Sequence, residues 1–291
     1  MNTHWTILYR GPLSSCNYGC DYCPFAKTMD TRAELLDDAN KLQRFVDWVA
    51  GRTETIGVLF TPWGEALFHA AYQEAITRLS HLPNVRRAAI QTNLSCKLEW
   101  LEACDRGKVA LWATYHPTQT TRQKFLAQCK GLDLLGISHS VGVVGLKEHF
   151  REIELLRTEL NSSTYLWVNA YKREPDYYST GESAWLESID PLFMLNTRYY
   201  PSRGKSCRTG GSVFTVDGEG TMRRCHFVKQ PFGNIYDPGF EKALERRPCP
   251  NETCGCHIGY VHMEKPDLYP VFGEGILERI PRNPLWRNAS H

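Results

Sequence analysis

A chain of 291 residues, 42% hydrophobic and 23% charged, can bury a sizeable core, which excludes the collagenous and disordered classes and suits one large domain with a short appendage. With 34 Lys and Arg against 32 Asp and Glu the surface carries no monopole to draw a phosphate backbone, so no nucleic acid is expected as a partner. No apolar run approaches the roughly 18 residues that span a bilayer, and Met1-Asn2-Thr3-His4-Trp5 lacks the pattern of a signal peptide, so no membrane is expected either and the location is expected to be cytoplasmic.

Along the chain, β-branched apolar runs alternate with helical periodicity up to about position 170. Strands are predicted at Trp5 to Tyr9, Ile56 to Thr61, Val85 to Gln91, Val109 to Tyr115, Gly136 to Val144 and Thr164 to Ala170. Between the first two, Leu35, Ala39, Leu42, Val46 and Val49 recur at helical spacing after a Thr31-x-x-Glu34 capping box and before Gly51. Phe68, Tyr72, Ala75, Ile76 and Leu79 predict the next helix. Leu98-Leu101-Cys104, Phe125-Leu126-Cys129 and Phe150-Ile153-Leu156-Leu160 predict three more. Six β-then-α units in series require right-handed crossovers and a parallel sheet, hence an α/β fold: a partial (β/α)6 TIM-like barrel with its chemistry at the C-terminal ends of the strands. The rhythm breaks at Lys172-Arg173-Glu174-Pro175, a loop, and Ala184 to Leu195 reads as a further helix. From Cys207 the texture changes: Val213 to Val216, a turn through Gly218 and Gly220, then Thr221 to Cys225 form a hairpin, and the Pro- and Gly-rich remainder through Arg282-Asn283-Pro284 is expected to wrap the body. The expected division is 1-195 for the barrel and 196-291 for the extension.

Eleven cysteines cannot all pair, and in a reducing compartment they are more suited to metal than to disulfides. Cys16, Cys20 and Cys23 form C-x3-C-x2-C in the loop leaving the first strand. A structural zinc wants four closed ligands, and no fourth Cys or His lies at finger-like spacing nearby. Three thiolates on a four-iron cluster leave one iron open to a substrate or cofactor. Here the sequence resembles the radical SAM superfamily, whose motif has this spacing and an aromatic residue before the last cysteine, supplied by Tyr22. The resemblance implies a 4Fe-4S cluster with an open iron site that binds S-adenosylmethionine and cleaves it reductively, releasing a 5′-deoxyadenosyl radical that abstracts a substrate hydrogen. It also implies roles at later strand ends. Gly64 and Glu65 of Thr61-Pro62-Trp63-Gly64-Glu65 occupy the place of the family's Gly-Gly-Glu segment, whose carboxylate meets the SAM ammonium, although Pro62 and Trp63 depart from that pattern. Asn93 of Gln91-Thr92-Asn93 falls where the family often carries a Thr-Asn pair near SAM, and Val143 where backbone contacts adenine. His116, at the end of the fourth strand, is a candidate to line the site.

Cys207, Cys225, Cys249, Cys254 and Cys256 are the second group. The C-x12-G-x4-C run from Cys207 through Gly220 to Cys225, followed by Phe232-Gly233-Asn234-Ile235, resembles the SPASM and twitch extensions of radical SAM enzymes. That implies an auxiliary 4Fe-4S cluster on Cys207 and Cys225 with two of Cys249, Cys254 and Cys256. A zinc staple is the competing reading, and it would make the chain a non-catalytic interaction module. Cys96, Cys104 and Cys129 are expected to be packing residues.

The auxiliary cluster implies either electron acceptance, giving a two-electron oxidation of a small molecule or protein side chain, or formation of a C–S or C–C crosslink in a peptide. The chain length leaves no room for a leader-recognition domain of roughly 80 residues, which favours the first. An electron donor such as flavodoxin or ferredoxin is implied. Lys172, Arg173, His226 and Tyr236 are candidates for substrate contact or proton transfer, Tyr236 as a catalytic residue. The Thr61 to Glu65 and Cys256 to Tyr260 segments resemble one bacterial subfamily.

Overall fold

The computed structural model describes residues 4–23, 25 and 28–282. The first three residues of the signal-peptide test, and Asn283-Pro284 at the predicted close of the tail, lie outside them. Strands β1 (His4–Arg10), β2 (Thr55–Phe60), β3 (Val85–Thr92), β4 (Val109–Tyr115), β5 (Ser138–Val144) and β6 (Leu166–Asn169) stand side by side in chain order, every pair parallel. Helices α1 (Arg32–Ala50), α2 (Ala70–His81), α3 (Arg122–Leu135) and α4 (Phe150–Glu159) supply the crossovers. The Thr31/Glu34 capping box forms as predicted. From it α1 presents Leu42, Phe45, Val46 and Val49 to a core shared with Trp5, Ile7 and Tyr9 on one face of β1. Each such side chain contributes roughly 1.5–3 kcal/mol on burial.

The other face carries small residues in register: Leu8 pairs with Leu59, Leu59 with Ala89, and Ala89 with Ala110. Alanines leave room inside the curved sheet, and the C-terminal segment takes it. Ile258, Tyr260, Phe272, Ile276 and Leu277 pack with Leu8, Leu59, Ala110, Trp112 and Trp167 as a second core. The tail, expected to wrap the body, plugs the inner face of the sheet. Helical periodicity could not show this, because the plug is built of short turns.

Other elements differ in detail. Residues 98–104 form a 3₁₀ turn, Glu99–Ala103, in place of a helix, and Phe68 stands 62% exposed in another turn. The helix predicted over 184–195 is two, α5 (Thr180–Ile189) and α6 (Phe193–Asn196), because Asp190-Pro191 interrupts it and the Asp190 carboxylate accepts from Leu192 N at 3.0 Å. After the short β7 (Tyr200–Pro201), the predicted hairpin forms as β8 (Val213–Asp217) and β9 (Thr221–Arg223), with β10 (Pro231–Asn234) antiparallel beyond it. β8 runs parallel to β1, so the hairpin extends the barrel sheet to nine strands. β11 (Thr253–Cys254) pairs with β7, and α7 (His257–Tyr260) and α8 (Tyr269–Phe272) belong to the plug.

Candidate active site

The loop after β1 is closed by its own polar groups. The Asp30 carboxylate accepts from the amides of Ser14 and Ser15, both at 2.8 Å, and from the Ser14 hydroxyl at 2.6 Å, while Ser15 Oγ accepts from Asp30 N at 2.6 Å. Burial opposes the Asp30 charge, yet these donors hold its pKa below the usual carboxylate value. Within the closed loop Cys20 is buried and Cys16 and Cys23 are half-buried. The segment after β2 crosses directly over it. Glu65 N donates to Ser15 O at 2.9 Å, and a Cβ on Gly64 would lie 1.8 Å from that oxygen, so only glycine fits.

The Glu65 side chain, 3% exposed, accepts from Leu67 N at 3.2 Å, the Thr92 hydroxyl at 2.7 Å and Asn93 N at 2.5 Å. Desolvation raises its pKa to about 7 against those three donors. A carboxylate has about four acceptor positions, so one is left for an incoming donor. Asn93 in turn donates to Asn17 Oδ1 at 2.9 Å, and Asn17 donates to Ser95 Oγ at 2.9 Å, joining the end of β3 to the cysteine loop. Leu94, next in the chain, has φ 58, a left-handed strain of about 1–2 kcal/mol beside the site.

His116, after β4, places Nδ1 2.8 Å from the Tyr22 hydroxyl and 3.4 Å from Cys20 Sγ, with its ring stacked on Tyr22. Desolvation, and after it the charge of His149, pushes its pKa down to about 4, so the ring is neutral at pH 7. Gln119 accepts from Gly19 N at 2.8 Å and Arg173 donates to Tyr22 O at 2.9 Å. Sequence reasoning missed Asn17 and Asp30, which belong to the loop itself and carry no motif, and Gln119, which reaches it from a hundred residues away.

The second group is gathered by backbone bridges: Arg203 to Cys249, Cys207 to Met263, and Cys254 to Tyr200 between β11 and β7. Cys207, Cys225, Cys249 and Cys254 then line one cavity of about 20 Å³ together with Lys205 and Arg224. Arg224 is 3% exposed and is aimed by bonds to Pro248 O at 2.5 Å and Thr209 Oγ1 at 3.3 Å. Burial first and the neighbouring thiols second push Cys254 up to about 12, and burial pushes Cys225 up to about 11. Cys256 is not in the lining. Among the described residues no three His, Cys, Asp or Glu side chains converge as they would around a single ion.

Solved structures share this arrangement of elements. Native anSMEcpe with bound AdoMet and Kp18Cys peptide, an anaerobic sulfatase-maturating radical SAM enzyme, matches with a TM-score of 0.56 at 14% identity, over 82% of this chain and 80% of that one. The fold is that of the radical SAM enzymes. Native anSMEcpe with bound AdoMet alone gives 0.55 at 14% identity, over 82% and 81% of the two chains. BtrN in complex with AdoMet and 2-DOIA gives 0.40 at 16%, over 84% and 88%. No protein-family model and no curated protein matches the sequence.

In this barrel the predicted site residues do not all fall together. Cys20, Tyr22 and His116 are joined by the contacts above, Gly64, Glu65 and Asn93 are tied to the same loop, and Cys16 and Cys23 stand within it. Val143 lies on β5 with its side chain in the helix-facing core, so only its backbone borders the strand end. Tyr236 is placed apart: its ring packs on the helix-facing core under Arg44 of α1, 3.6 Å from ring centre to guanidinium, because the chain after β10 turns outward. His226 does reach the barrel, its Nε2 2.7 Å from Thr61 Oγ1. Cys96, Cys104 and Cys129 are buried in the helix-facing core, as packing residues would be. No helix among the described residues is long and apolar enough to cross a membrane.

Proposed function

We propose that this chain is a radical SAM oxidoreductase or maturase, with a SAM-binding 4Fe-4S cluster on Cys16, Cys20 and Cys23 and an auxiliary 4Fe-4S cluster on Cys207, Cys225, Cys249 and Cys254. The observation that carries the reading is the difference in thiol number between two separate sites: three in the clamped loop and four around a cavity. A zinc ion bonds sulfur at about 2.3 Å and needs donors that nearly touch, whereas thiols spaced around a cavity suit a cluster of several atoms. When loaded, the three-cysteine cluster supplies the electron that splits SAM into the hydrogen-abstracting 5′-deoxyadenosyl radical.

The chain's own residues do the rest. Glu65 keeps one acceptor for the SAM ammonium, held in place by Thr92 and Asn93. Neutral His116 and Tyr22 pack beside Cys20 and limit water there. Four thiolates would leave the auxiliary iron without an open position, which suits electron acceptance, and the Arg224 and Lys205 cations beside the cavity compensate the negative charge of such a cluster. The favoured reaction is a two-electron oxidation of a small molecule or protein side chain, with flavodoxin or ferredoxin as donor. The peptide bound to anSMEcpe supports the side-chain form.

Anaerobic reconstitution tests the reading. Brown protein with about eight irons and eight sulfides per chain, which forms 5′-deoxyadenosine from SAM and dithionite, is expected. Colourless protein with about two zincs would replace it by the zinc-stapled module. In product mass spectra a loss of two hydrogens without a ring supports oxidation, and an internal C–S or C–C crosslink supports the peptide-modifying alternative.

A further inference from the structure

Arg279, in the segment that plugs the barrel, makes no hydrogen bond or ion pair among the described residues. The residue is 3% exposed, and its Nε is buried without a hydrogen bond. Two buried carboxylates stand in this region, neither in an ion pair with Arg279. Asp190 accepts from the Tyr165 hydroxyl and from the amides of Val168 and Leu192, and the charge of Arg279 favours its ionised form from a longer range. Glu278 accepts from the Ser138 hydroxyl and pairs with Arg87 at 3.4 Å through Oε1, while its Oε2 is buried without a hydrogen bond. What holds Arg279 is aromatic. Its guanidinium carbon lies 4.4 Å from the Trp167 ring centre and 5.6 Å from that of Trp112. The indole of Trp167 is itself seated over Gly142, where a Cβ would approach it to 2.0 Å, and is fixed by donation to Ser140 Oγ at 3.1 Å. Stacking orients a guanidinium without using its in-plane donors, and burying one with those donors idle is costly.

A thiol and a second cation stand on the same inner face. Trp112 also touches His257, 5.4 Å between ring centres, and His257 follows Cys256. Lys172 donates from Nζ to Gly255 O at 2.7 Å and to Asn196 O at 2.6 Å, so its ammonium is pinned beside Cys256 with one donor left. Cys256 is open to solvent. Because Cys256 does not line the auxiliary cavity, no cluster accounts for it.

We propose that Arg279 and Lys172 form an anion site beside Cys256, inside the barrel, that holds a carboxylate of the substrate. The site's role as a substrate site rests on the radical SAM reading; the anion binding itself does not. A planar guanidinium with idle donors matches a carboxylate fork to fork, and the lysine adds a point charge at its side.

Paired alkylation tests it. Anaerobic holoenzyme is divided between iodoacetate and iodoacetamide, and the peptide bearing Cys256 is quantified by mass spectrometry. In both reactions the thiolate sulfur bonds to the methylene carbon as iodide leaves, so the reagents differ in charge alone, and the ratio of their rates cancels the acidity of the thiol. The iodoacetate-to-iodoacetamide ratio at Cys256 is expected to exceed that of glutathione in the same buffer by about tenfold. It should fall to the glutathione value in Arg279→Gln, and acetate should protect better than inorganic phosphate. A ratio no higher than that of glutathione, a Cys256 that neither reagent reaches, or better protection by phosphate would overturn the proposal. If Arg279→Gln fails to fold, Lys172→Met and the acetate competition make the same comparison in folded protein. Iron content of the same sample separates the two readings: iron-free protein sinks the cluster assignment, while the alkylation ratio still reports on the anion site.

Discussion

Three thiols stand in the loop after β1, with Cys16 and Cys23 half-buried and the backbone around them tied by Asp30, Asn17 and Gly64. Four stand around the C-terminal cavity, where Cys207 and Cys225 are buried and Arg224 is sealed in behind them. The first site is polar and sits at the mouth of the barrel, and on the proposed function its three thiols would leave one iron open. The second lines a cavity, and on the same proposal its four thiols would complete a ligand set. Partial exposure together with a missing ligand is what a reacting centre needs, whereas burial with a full ligand set is what an electron store needs. On the proposed function it is the number of thiols that would divide the labour between the two groups, since Cys249 and Cys254 are half-buried as Cys16 and Cys23 are.

Removing one ligand from each site is the sharpest way to break that contrast. Cys16→Ala should abolish formation of 5′-deoxyadenosine and lower iron from about eight to about four per chain. Cys225→Ser should also halve the iron but leave SAM cleavage running without substrate oxidation. Retention of SAM cleavage in the first variant, or its loss in the second, would erase the distinction. Gly64→Ala acts on the clamp alone: the new methyl group meets Ser15 O, the loop must shift, and we expect a cost of about 1–3 kcal/mol in thermal unfolding with preferential loss of iron from the first site.

The smallest effect concerns the anchoring of the loop to α1. Asp38 is 2% exposed and accepts from Leu13 N and the Tyr72 hydroxyl, both at 3.3 Å, and desolvation raises its pKa to about 6. A carboxyl whose folded pKa lies above its unfolded value of about 3.9 binds more protons when folded, so its contribution to stability falls as pH rises through the window between them and the penalty is complete above about 6. Asp38→Asn keeps an acceptor without the charge. Its melting temperature should rise by a few degrees at pH 8, with the gain fading by pH 4. A gain of equal size at both pH values would show that charge is not the cause.

The parallel barrel was legible from the chain because its signals are local: the Thr31/Glu34 box, the spacing of Leu42, Val46 and Val49, and six β-branched runs each report a structure formed within a few residues. The three-cysteine loop was legible for the same reason. What the chain could not show was where distant segments meet. Cys256 and Cys254 are two positions apart, yet one stands in the barrel and the other on the cavity wall. Tyr236, which reads as a catalytic candidate, packs outside under Arg44. Arg279 carries no motif, and it matters only because Trp112 and Trp167 arrive on two different strands to hold it.

Local periodicity in the sequence therefore determined the fold class, and cysteine spacing named the thiols proposed to share a metal. Only the tertiary structure decided which thiols line a common cavity, that the tail fills the barrel, and which cation lies buried without a hydrogen bond among the described residues. Those properties depend on contacts between residues far apart in the chain, and such contacts are settled by how packed surfaces fit and by whether each buried polar group finds a partner.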